Sequence, residues 1–251
     1  MSDGFVTKTA ENGVKYLVCT ALEGIAGLAH GFTTRIGGVS EGVFSSLNIS
    51  PTRGDPADTS LNRRLAAEAI GVSDNFCFTR QVHKTLVRYA DEPNDYLSAE
   101  ECDGLWTDRR GLTLFSVYAD CVPILLYGRG RIAAVHAGWR GTAAGIAKNA
   151  LRAMEVDPSE VIAAIGPCIG RCCFMVHGDV ASAFDEGYPI PQSDGRYSID
   201  LKAVNADMLA DMGVREIHIC QECTCCDGAK YYSHRRDGDA RGLMAAMIAL
   251  K

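Results

Sequence analysis

The sequence predicts a mixed α/β sandwich formed by a single domain, and three observations lead to that prediction. The chain has 251 residues, of which 47% are hydrophobic, so it is long enough to bury a substantial core. Short apolar segments of strand character interleave with segments of helical periodicity. No internal repeat and no Pro/Ser-rich linker divides the chain, so we treat residues 1–251 as one domain.

Four segments have the pattern of helices. The first, residues 61–70, carries apolar residues on one helical face, follows capping candidates at residues 58–60 and stops at Gly71. The others are predicted at residues 141–154, 201–212 and 241–249.

Strands are predicted where short apolar or alternating runs are bounded by Gly, Asp or Pro. These runs occupy residues 76–79, 85–90, 112–118, 123–127, 131–137, 161–166 and 215–220. The segments lack the regular strand-then-helix order of a doubly wound sheet, and no G-x-G-x-x-G or P-loop follows a strand. We therefore expect neither a Rossmann nor a P-loop fold.

Composition and charge exclude several classes of function. The formal net charge of -6 gives no footprint for nucleic acid or for an anionic membrane, since both need clustered Lys and Arg. No apolar stretch has the length of a signal peptide core or a membrane span. The eleven cysteines, an odd number, favour free thiols in a reducing compartment over a disulfide framework. We expect a cytoplasmic protein that acts on small molecules.

His83, Cys121 and His136 are the candidate metal ligands. They lie in the strings QVHK, ADCVPILL and AVHAGWRG. Two imidazoles and a thiolate leave a tetrahedral zinc ion one open position, which is the arrangement of catalytic sites. The spacing is not that of a zinc finger, and each residue alone is more often a core cysteine or a locally bonded histidine.

The residues beside these ligands suggest a substrate. Glycines flank Trp139 and Arg140 in HAGWRG, so backbone can approach a ligand closely while an aromatic face and a guanidinium stay available. That combination suits a nucleobase together with an anion. Asp120, next to Cys121, either orients a metal ligand or caps a turn.

Nine strings in the chain resemble those of the YfiH, or peptidoglycan editing factor, family. They are HGFTTRIGGVS (30–40), SLN (46–48), NRR (62–64), QVH (81–83), DGL (103–105), ADCVPIL (119–125), AVHAGWRGT (134–142), IGPCIG (165–170) and SHRRDG (233–238). Members are labelled either as multicopper polyphenol oxidase laccase-domain proteins or as purine nucleoside phosphorylases. The resemblance covers residues 30–242.

The resemblance implies an α/β sandwich with zinc held by His83, Cys121 and His136. It also implies phosphorolysis of adenosine, inosine and guanosine, deamination of adenosine, and cleavage of methylthioadenosine. Deamination fits a zinc-bound water, whose pKa falls to about 7. Phosphorolysis needs a held anion, and here Arg35 and Arg140 are candidate phosphate clamps, with the amides of Gly37 and Gly38 completing a cradle. Arg35 is alternatively a solvated loop arginine.

The remaining cysteines give a second, more ambiguous signal. The string CQECTCCDG carries Cys220, Cys223, Cys225 and Cys226. The adjacent pair cannot both face one ion from a continuous strand, so we favour a redox-labile or incidental cluster there over a metal site. In IGPCIGRCCF, Cys168 either lines the pocket or belongs to the core. Family relatives usually carry an acidic residue where Met175 stands, which puts any acid or base role at that position in doubt.

Three other functional hypotheses are consistent with the sequence. Cys121 could be a nucleophile activated by His136 in a metal-independent hydrolase or amidase that acts on cell-wall precursors. Copper is a second possibility because Cys with two His resembles a blue-copper set, but multicopper oxidation of phenols needs several centres and the chain has only six scattered histidines. A third is a non-enzymatic redox or metal-sensing module built on the thiols of residues 220–226.

Overall fold

The computed structural model describes residues 4–251. The strands are, in chain order, β1 (Phe5–Thr9), β2 (Lys15–Cys19), β3 (Leu28–Thr33), β4 (Phe76–Cys77), β5 (Val87–Tyr89), β6 (Gly104–Thr107), β7 (Thr113–Tyr118), β8 (Val122–Gly128), β9 (Arg131–Ala137), β10 (Ile162–Ile165), β11 (Met175–Val176), β12 (Ile190–Pro191), β13 (Tyr197–Ser198), β14 (Glu216–Ile219) and β15 (Met244–Leu250). The α-helices are α1 (Thr20–Glu23), α2 (Pro56–Ile70), α3 (Trp139–Ala143), α4 (Ile146–Met154), α5 (Gly178–Ala181), α6 (Leu201–Asp211) and α7 (His234–Asp237). Two 3₁₀ turns cover Gly42–Phe44 and Pro158–Glu160.

Two six-stranded mixed sheets form the centre of the molecule. Their strand orders are β1-β2-β3-β15-β7-β4 and β14-β10-β8-β9-β6-β5, and a small sheet, β11-β13-β12, lies apart from them. Each large sheet is mainly antiparallel with parallel pairing at one or both edges. The predicted mixed α/β sandwich is confirmed, and neither sheet has the parallel order of a dinucleotide-binding fold.

The core has three parts because each large sheet is buried on both faces. The facing surfaces of the two sheets share one cluster, to which Leu125 of β8 and Ile248 of β15 belong. The next residues along those strands point the other way: Ile124 packs with α4 and α6, and Met247 packs with α2. This alternation is the period-two geometry of a strand. Helices therefore cover the outer face of each sheet.

The predicted helix at residues 241–249 is wrong, because that segment forms β15. It pairs with β3 on one side and β7 on the other, and all seven of its residues are buried. A central strand covered on both faces reads as a continuous apolar run, and such a run cannot be told from a buried helix by periodicity alone.

Two other helices differ from the prediction at their boundaries. Helix α2 begins at Pro56 rather than at residue 61, because Asp55 caps it by accepting hydrogen bonds from the amides of Ala57 and Asp58, and it ends at Gly71 as predicted. The predicted helix at 141–154 is interrupted at Gly145, whose φ of 80° is left-handed, so α3 and α4 are separate. Sequence patterns missed β1, β2 and β3, a meander that forms one edge of the first sheet.

Within residues 4–251, no helix is both long and apolar enough to cross a membrane.

His30 of β3 is a buried histidine that the fold keeps neutral. Its side chain is almost fully covered, and Nε2 accepts a hydrogen bond from the amide of Cys19 at 2.9 Å. Burial lowers the pKa of His30 from 6.5 to about 4, while Glu23 and Lys8 act on it in opposite directions. Protonation would leave a buried charge facing a backbone donor.

We expect His30 to make the protein less stable as the pH falls. Between pH 6.5 and about 4 the unfolded chain binds a proton at this residue that the folded protein does not, so the free energy of unfolding decreases as pH decreases, by about 3 kcal/mol in total. The variant His30→Gln keeps an acceptor for the Cys19 amide and removes this dependence. Urea unfolding of both proteins across this pH range measures the difference, and parallel pH profiles would contradict the assignment.

Candidate functional site

His83, Cys121 and His136 converge in the structure although they are far apart in the sequence. Their ligand atoms all lie within 4.8 Å of one another, and His83 Nε2 is 3.9 Å from Cys121 Sγ. Tetrahedral zinc with Zn–N and Zn–S bonds of about 2.0 and 2.3 Å separates its ligand atoms by about 3.3–3.6 Å. Small side-chain movements therefore suffice for the three residues to hold one divalent ion.

The ends of strands bring these three side chains together. His136 lies near the end of β9, Cys121 directly precedes β8, and β8 and β9 pair antiparallel, so these residues meet at one end of the two central strands. His83 reaches the same place from the loop before β5. Gly138 makes the approach possible, since a Cβ there would lie 2.7 Å from His83 Cδ2 and 3.4 Å from Cys121 Sγ. The glycines of HAGWRG thus serve close packing around the ligand set.

Asp103 orients two of the three ligands. It is a site residue that the sequence patterns did not predict. Its Oδ1 lies 2.9 Å from His136 Nδ1, which leaves Nε2 of that ring for the cleft. The same carboxylate accepts hydrogen bonds from the amides of Val82, His83 and Lys84. A carboxylate that fixes the ring of a ligand histidine is a common second partner in metal sites. The string DGL carried the signal, because this Asp directly precedes a buried strand.

Left-handed backbone at two positions shapes the site. His83 has φ of 59° and Asp120 has φ of 85°, conformations that non-glycine residues adopt at a cost of about 1–3 kcal/mol and that cluster at functional sites. The Asp103 carboxylate offsets that cost at His83 by binding three consecutive amides. Each strained residue is therefore held by a buried carboxylate.

Asp120 does not orient a metal ligand, which corrects that part of the prediction. Its Oδ1 accepts a hydrogen bond from Thr224 Oγ1 at 2.6 Å, and its Oδ2 accepts from Ser233 Oγ at 2.9 Å and from the amide of Arg235 at 2.6 Å. Both oxygens are thus engaged by the loops that follow β14. Asp120 fastens those loops to the turn that carries Cys121.

Charge coupling favours a thiolate at Cys121. Burial opposes its ionisation, but the nearby imidazoles of His136 and His83 outweigh burial and lower the pKa of the thiol from 9.0 to about 6. Burial likewise opposes protonation of His136, yet the Cys121 thiolate and Asp103 raise the pKa of that imidazole from 6.5 to about 9. A cation that binds here displaces the imidazolium proton.

Two arms of one cleft meet at His83 and Cys121. The larger, about 390 Å³, is lined by Trp139, Arg140 and a set of apolar side chains, namely Ile169, Phe174, Val176, Val180 and Leu201. The guanidinium of Arg140 lies over the Trp139 ring at 4.2 Å. The structure therefore places both of these predicted residues in the cleft, and we call this half the apolar arm.

The smaller half, about 230 Å³, is polar, and we call it the arginine arm. Its lining includes Arg53, Gln81, Tyr96, His136 and Arg241. The Arg241 side chain is only 11% exposed, and its Nε has no hydrogen-bond partner among residues 4–251. Arg241 lies just before β15, and local sequence does not show that this segment enters the cleft.

Arg35, Gly37 and Gly38 lie outside the cleft, contrary to their predicted phosphate-binding role, and Cys168 takes the core position that was one of its two alternatives. The Arg35 guanidinium donates to the backbone oxygens of Ser45 and Gly228 and stacks on Tyr232 at 4.5 Å, so it holds loops together. The amides of Gly37 and Gly38 donate to Ser46 Oγ. Cys168 is fully buried in the core. None of the four lines either arm of the cleft.

The fold and its sequence define the class of the protein. A family model described as multi-copper polyphenol oxidoreductase laccase matches residues 29–251. The crystal structure of YlmD from Geobacillus stearothermophilus superposes with a TM-score of 0.87 at 34% identity, covering 94% of this chain and 96% of that one. The crystal structure of protein NMB0706 from Neisseria meningitidis gives a TM-score of 0.82 at 31% identity, with 99% of each chain covered.

Similar proteins of known name narrow the class. Purine nucleoside phosphorylase YlmD of Geobacillus stearothermophilus is 38% identical over 247 residues, covering 89% of this chain and 90% of that protein. Purine nucleoside phosphorylase YfiH of Escherichia coli is 31% identical over 233 residues, covering 89% and 94%. The chain belongs to the YfiH family of laccase-domain proteins.

Removing the charge of Asp103 should weaken metal binding. In Asp103→Asn the side chain no longer holds His136 as a carboxylate does, and we expect the affinity for Zn²⁺ to fall by about 10- to 100-fold. Competition with a chromogenic chelator measures the affinity. The matched control is Asp108→Asn, which changes an exposed carboxylate that accepts a hydrogen bond from Tyr89. Equal affinities in the two variants would show that Asp103 does not orient a ligand.

Proposed function

We propose that this protein is a zinc-dependent purine nucleoside phosphorylase that also deaminates adenosine. The observation that carries the proposal is the meeting of an apolar aromatic arm and a buried arginine arm at His83 and Cys121. Phosphorolysis needs a purine, an anion and the C1' atom of the ribose brought together. The two arms offer one compartment for each partner with the ligand set between them.

The apolar arm supplies the purine subsite. Trp139 and Phe174 present aromatic and apolar surface of the kind that stacks on a nucleobase, and Arg140 adds a guanidinium at the mouth. Apolar contacts discriminate weakly between related bases. This arm therefore suits adenosine, inosine and guanosine alike, and it can also receive the methylthio group of methylthioadenosine.

The arginine arm supplies the phosphate subsite, in place of the Arg35 that sequence suggested. Arg53 and Arg241 both pair with Asp239, whose Oδ1 lies 3.2 Å from Arg53 Nη2 and 3.6 Å from Arg241 Nη1. Burial, and after it the charge of Arg53, lowers the pKa of Arg241. A phosphate dianion would add negative charge beside these two guanidinium groups and accept from Arg241 Nε, which has no partner among residues 4–251. Arginine forks match phosphate oxygens and form strong charge-assisted hydrogen bonds.

The residues of the chain then act mainly by positioning. Phosphate oxygen held by Arg241 forms a bond to C1' as the bond from C1' to the purine nitrogen breaks, and the purine leaves with the electron pair and takes up a proton. The products are the free base and ribose 1-phosphate. When bound by His83, Cys121 and His136, zinc supplies an electrophilic centre and lowers the pKa of a water molecule. Asp103 and Gly138 keep those three ligands in place.

Copper-dependent oxidation of phenols is not favoured despite the name of the family model. Two clusters of metal-ligand residues occur in residues 4–251, one being His83, Cys121 and His136 and the other made only of cysteines. Multicopper oxidation needs several centres rich in histidine. We also place the reaction in the cytoplasm, since all eleven cysteines are free thiols, as a reducing compartment requires.

Product analysis tests the proposal directly. We expect wild type incubated with phosphate to convert inosine to hypoxanthine and ribose 1-phosphate, and to convert adenosine to inosine even without phosphate. Cys121→Ala should do neither, whereas the control Cys225→Ala should do both. Liquid chromatography of the mixtures separates these products. Unchanged nucleosides with wild type would contradict the proposal.

Arg241 should control the affinity for phosphate. Loss of a charge-assisted hydrogen bond costs about 1.5–3 kcal/mol, so we expect Arg241→Met to raise the KM for phosphate by at least about tenfold. Adenosine deamination, which uses no phosphate, should change much less. The control is Arg88→Met, whose side chain is half exposed and paired with Glu100. A KM for phosphate that stays at the wild-type value would place the anion elsewhere.

The second candidate is a metal-independent hydrolase in which Cys121 is a nucleophile. The chain of contacts from Asp103 to His136 to Cys121 favours it, since a base held by a carboxylate activates cysteine nucleophiles. The position of His83 argues against this hydrolase, because a third potential metal ligand beside the Cys121 thiol has no role in a metal-independent mechanism.

Chelation separates the two candidates. If the site binds zinc, a chelator should abolish nucleoside turnover and added Zn²⁺ should restore it, because the three ligands cannot act without the ion. Bound zinc should also protect Cys121 from iodoacetamide. Turnover that survives chelation and is lost on alkylation would instead identify Cys121 as a nucleophile.

A further inference from the structure

A second group of thiols lies outside the cleft. Cys172, Cys173, Cys223 and Cys226 come from two distant parts of the chain, and their four Sγ atoms lie within 4.8 Å of one another. Cys226 Sγ is 3.6 Å from Cys172 Sγ and 3.4 Å from Cys173 Sγ. We call these residues the four-thiol cluster. The cluster shares no residue with the His83, Cys121 and His136 site.

Two tight turns present these thiols toward each other. In the first, the amides of Cys173 and Phe174 both donate to the Gly170 oxygen, and in the second the amide of Asp227 donates to the Cys223 oxygen. A backbone bridge between Cys168 and Cys223 joins the two turns. Each turn contributes two sulfurs, so the cluster is built by tertiary structure.

Gly170 is adapted to this arrangement. Its amide donates to Cys223 Sγ at 3.1 Å, a hydrogen bond that favours negative charge on sulfur. A Cβ at Gly170 would lie 3.2 Å from Cys172 Sγ and 3.4 Å from Cys223 Sγ. A side chain at position 170 would therefore crowd two of the four sulfurs.

The sulfur separations match those of a tetrahedral metal site. With Zn–S bonds of about 2.3 Å, the edges of a ZnS₄ tetrahedron measure about 3.8 Å. The separations of 3.4 and 3.6 Å and the 4.8 Å limit on the rest bracket this edge. A single disulfide would use only two of the sulfurs and would bring them to about 2.05 Å.

We propose that Cys172, Cys173, Cys223 and Cys226 bind a second, structural zinc ion with four thiolate ligands. Four protein ligands leave no open position, which is the property of structural sites. Four Zn–S bonds form as the thiols give up their protons to the solvent. A metal site in this region is disfavoured if Cys225 and Cys226 lie on one continuous strand. Residues 223–227 instead form a turn, and only Cys226 of this adjacent pair enters the cluster. Cys225 packs against the hydrophobic core and contacts Cys173, but it does not belong to the group of four.

Two neighbouring arginines partly offset the charge of such a site, and one of them, Arg236, is also paired with Asp237. Zinc with four thiolates carries a net charge of −2. Arg236 donates to the backbone oxygens of Thr224 and Cys225 in the second turn, and Arg235 donates to those of Cys173 and Met175 beside the first. These contacts place two guanidinium groups next to the cluster.

A metal here would brace one wall of the cleft. The first turn ends at Phe174, which lines the apolar arm, and the amide of Ile169 donates to the Asp120 oxygen. The second turn contains Thr224, which donates to the Asp120 carboxylate. Linking the turns through one ion would hold both against the residue that precedes Cys121.

Zinc content measured on matched variants tests the proposal without reference to activity. Each protein is expressed with zinc, purified under reducing conditions without chelator and analysed by inductively coupled plasma mass spectrometry. We expect Cys226→Ser and Cys223→Ser to contain one zinc ion fewer per chain than the control Cys225→Ser. This difference is independent of the first site, so it stands or fails separately from the proposed function. Equal zinc in all three variants would overturn the proposal.

X-ray absorption covers the case in which a cluster variant fails to fold. In Cys121→Ser, which keeps all four cluster thiols but disrupts the first site, the zinc edge should show a shell of four sulfurs at about 2.3 Å. A shell dominated by nitrogen and oxygen would overturn the proposal. So would a disulfide among these cysteines in the wild-type protein purified under reducing conditions, detected as a mass lower by two hydrogens.

Discussion

The Asp103 carboxylate is the interaction on which the site depends. It lies directly before β6, is buried at the end of a sheet, and binds the His136 ring and three consecutive amides around His83 at once. A buried carboxylate needs such donors, because an unpaired charge in the interior is costly. The partners that satisfy this charge are the same groups that must be positioned for a metal ion to be held. The hydrogen bonds that satisfy the buried Asp103 carboxylate therefore both stabilise this end of the sheet and fix the geometry of the site.

Asp120 holds the far side of the cleft in place, as Asp103 holds the near side. Its carboxylate binds the turn at Thr224 and the segment from Ser233 to Arg235, which carry two of the four cluster thiols and part of the lining of the apolar arm. Asp103 and Asp120 lie on either side of the ligand set. Each of their hydrogen-bond networks includes one residue with left-handed backbone, His83 in the first and Asp120 itself in the second. The cleft is therefore held from both sides by buried charges, while its two arms stay open for substrate.

The mixed sandwich, seven of the fifteen strands in residues 4–251 and the three candidate ligands could be predicted from the sequence, because short apolar runs bounded by Gly, Asp or Pro indicate strands and mark where they end. The pairing of strands that are far apart in the sequence could not be predicted. The segment of β15 looks helical because both of its faces are covered, and the position of Arg241 in the cleft follows from the pairing of β15 with the distant strands β3 and β7. Local sequence does not show that the Arg35 guanidinium donates to the backbone oxygen of Gly228, which is 193 residues away. Asp103 was visible in the string DGL, but its partners are set by the pairing of β6 with β9.

Anomalous diffraction at the zinc absorption edge would show whether His83, Cys121 and His136 hold one divalent ion. In crystals grown with zinc, we expect an anomalous peak at about 2.0–2.1 Å from a nitrogen of each imidazole and about 2.3 Å from the Cys121 sulfur. Crystals that contain zinc elsewhere in the protein but show no peak among these three side chains would contradict this expectation.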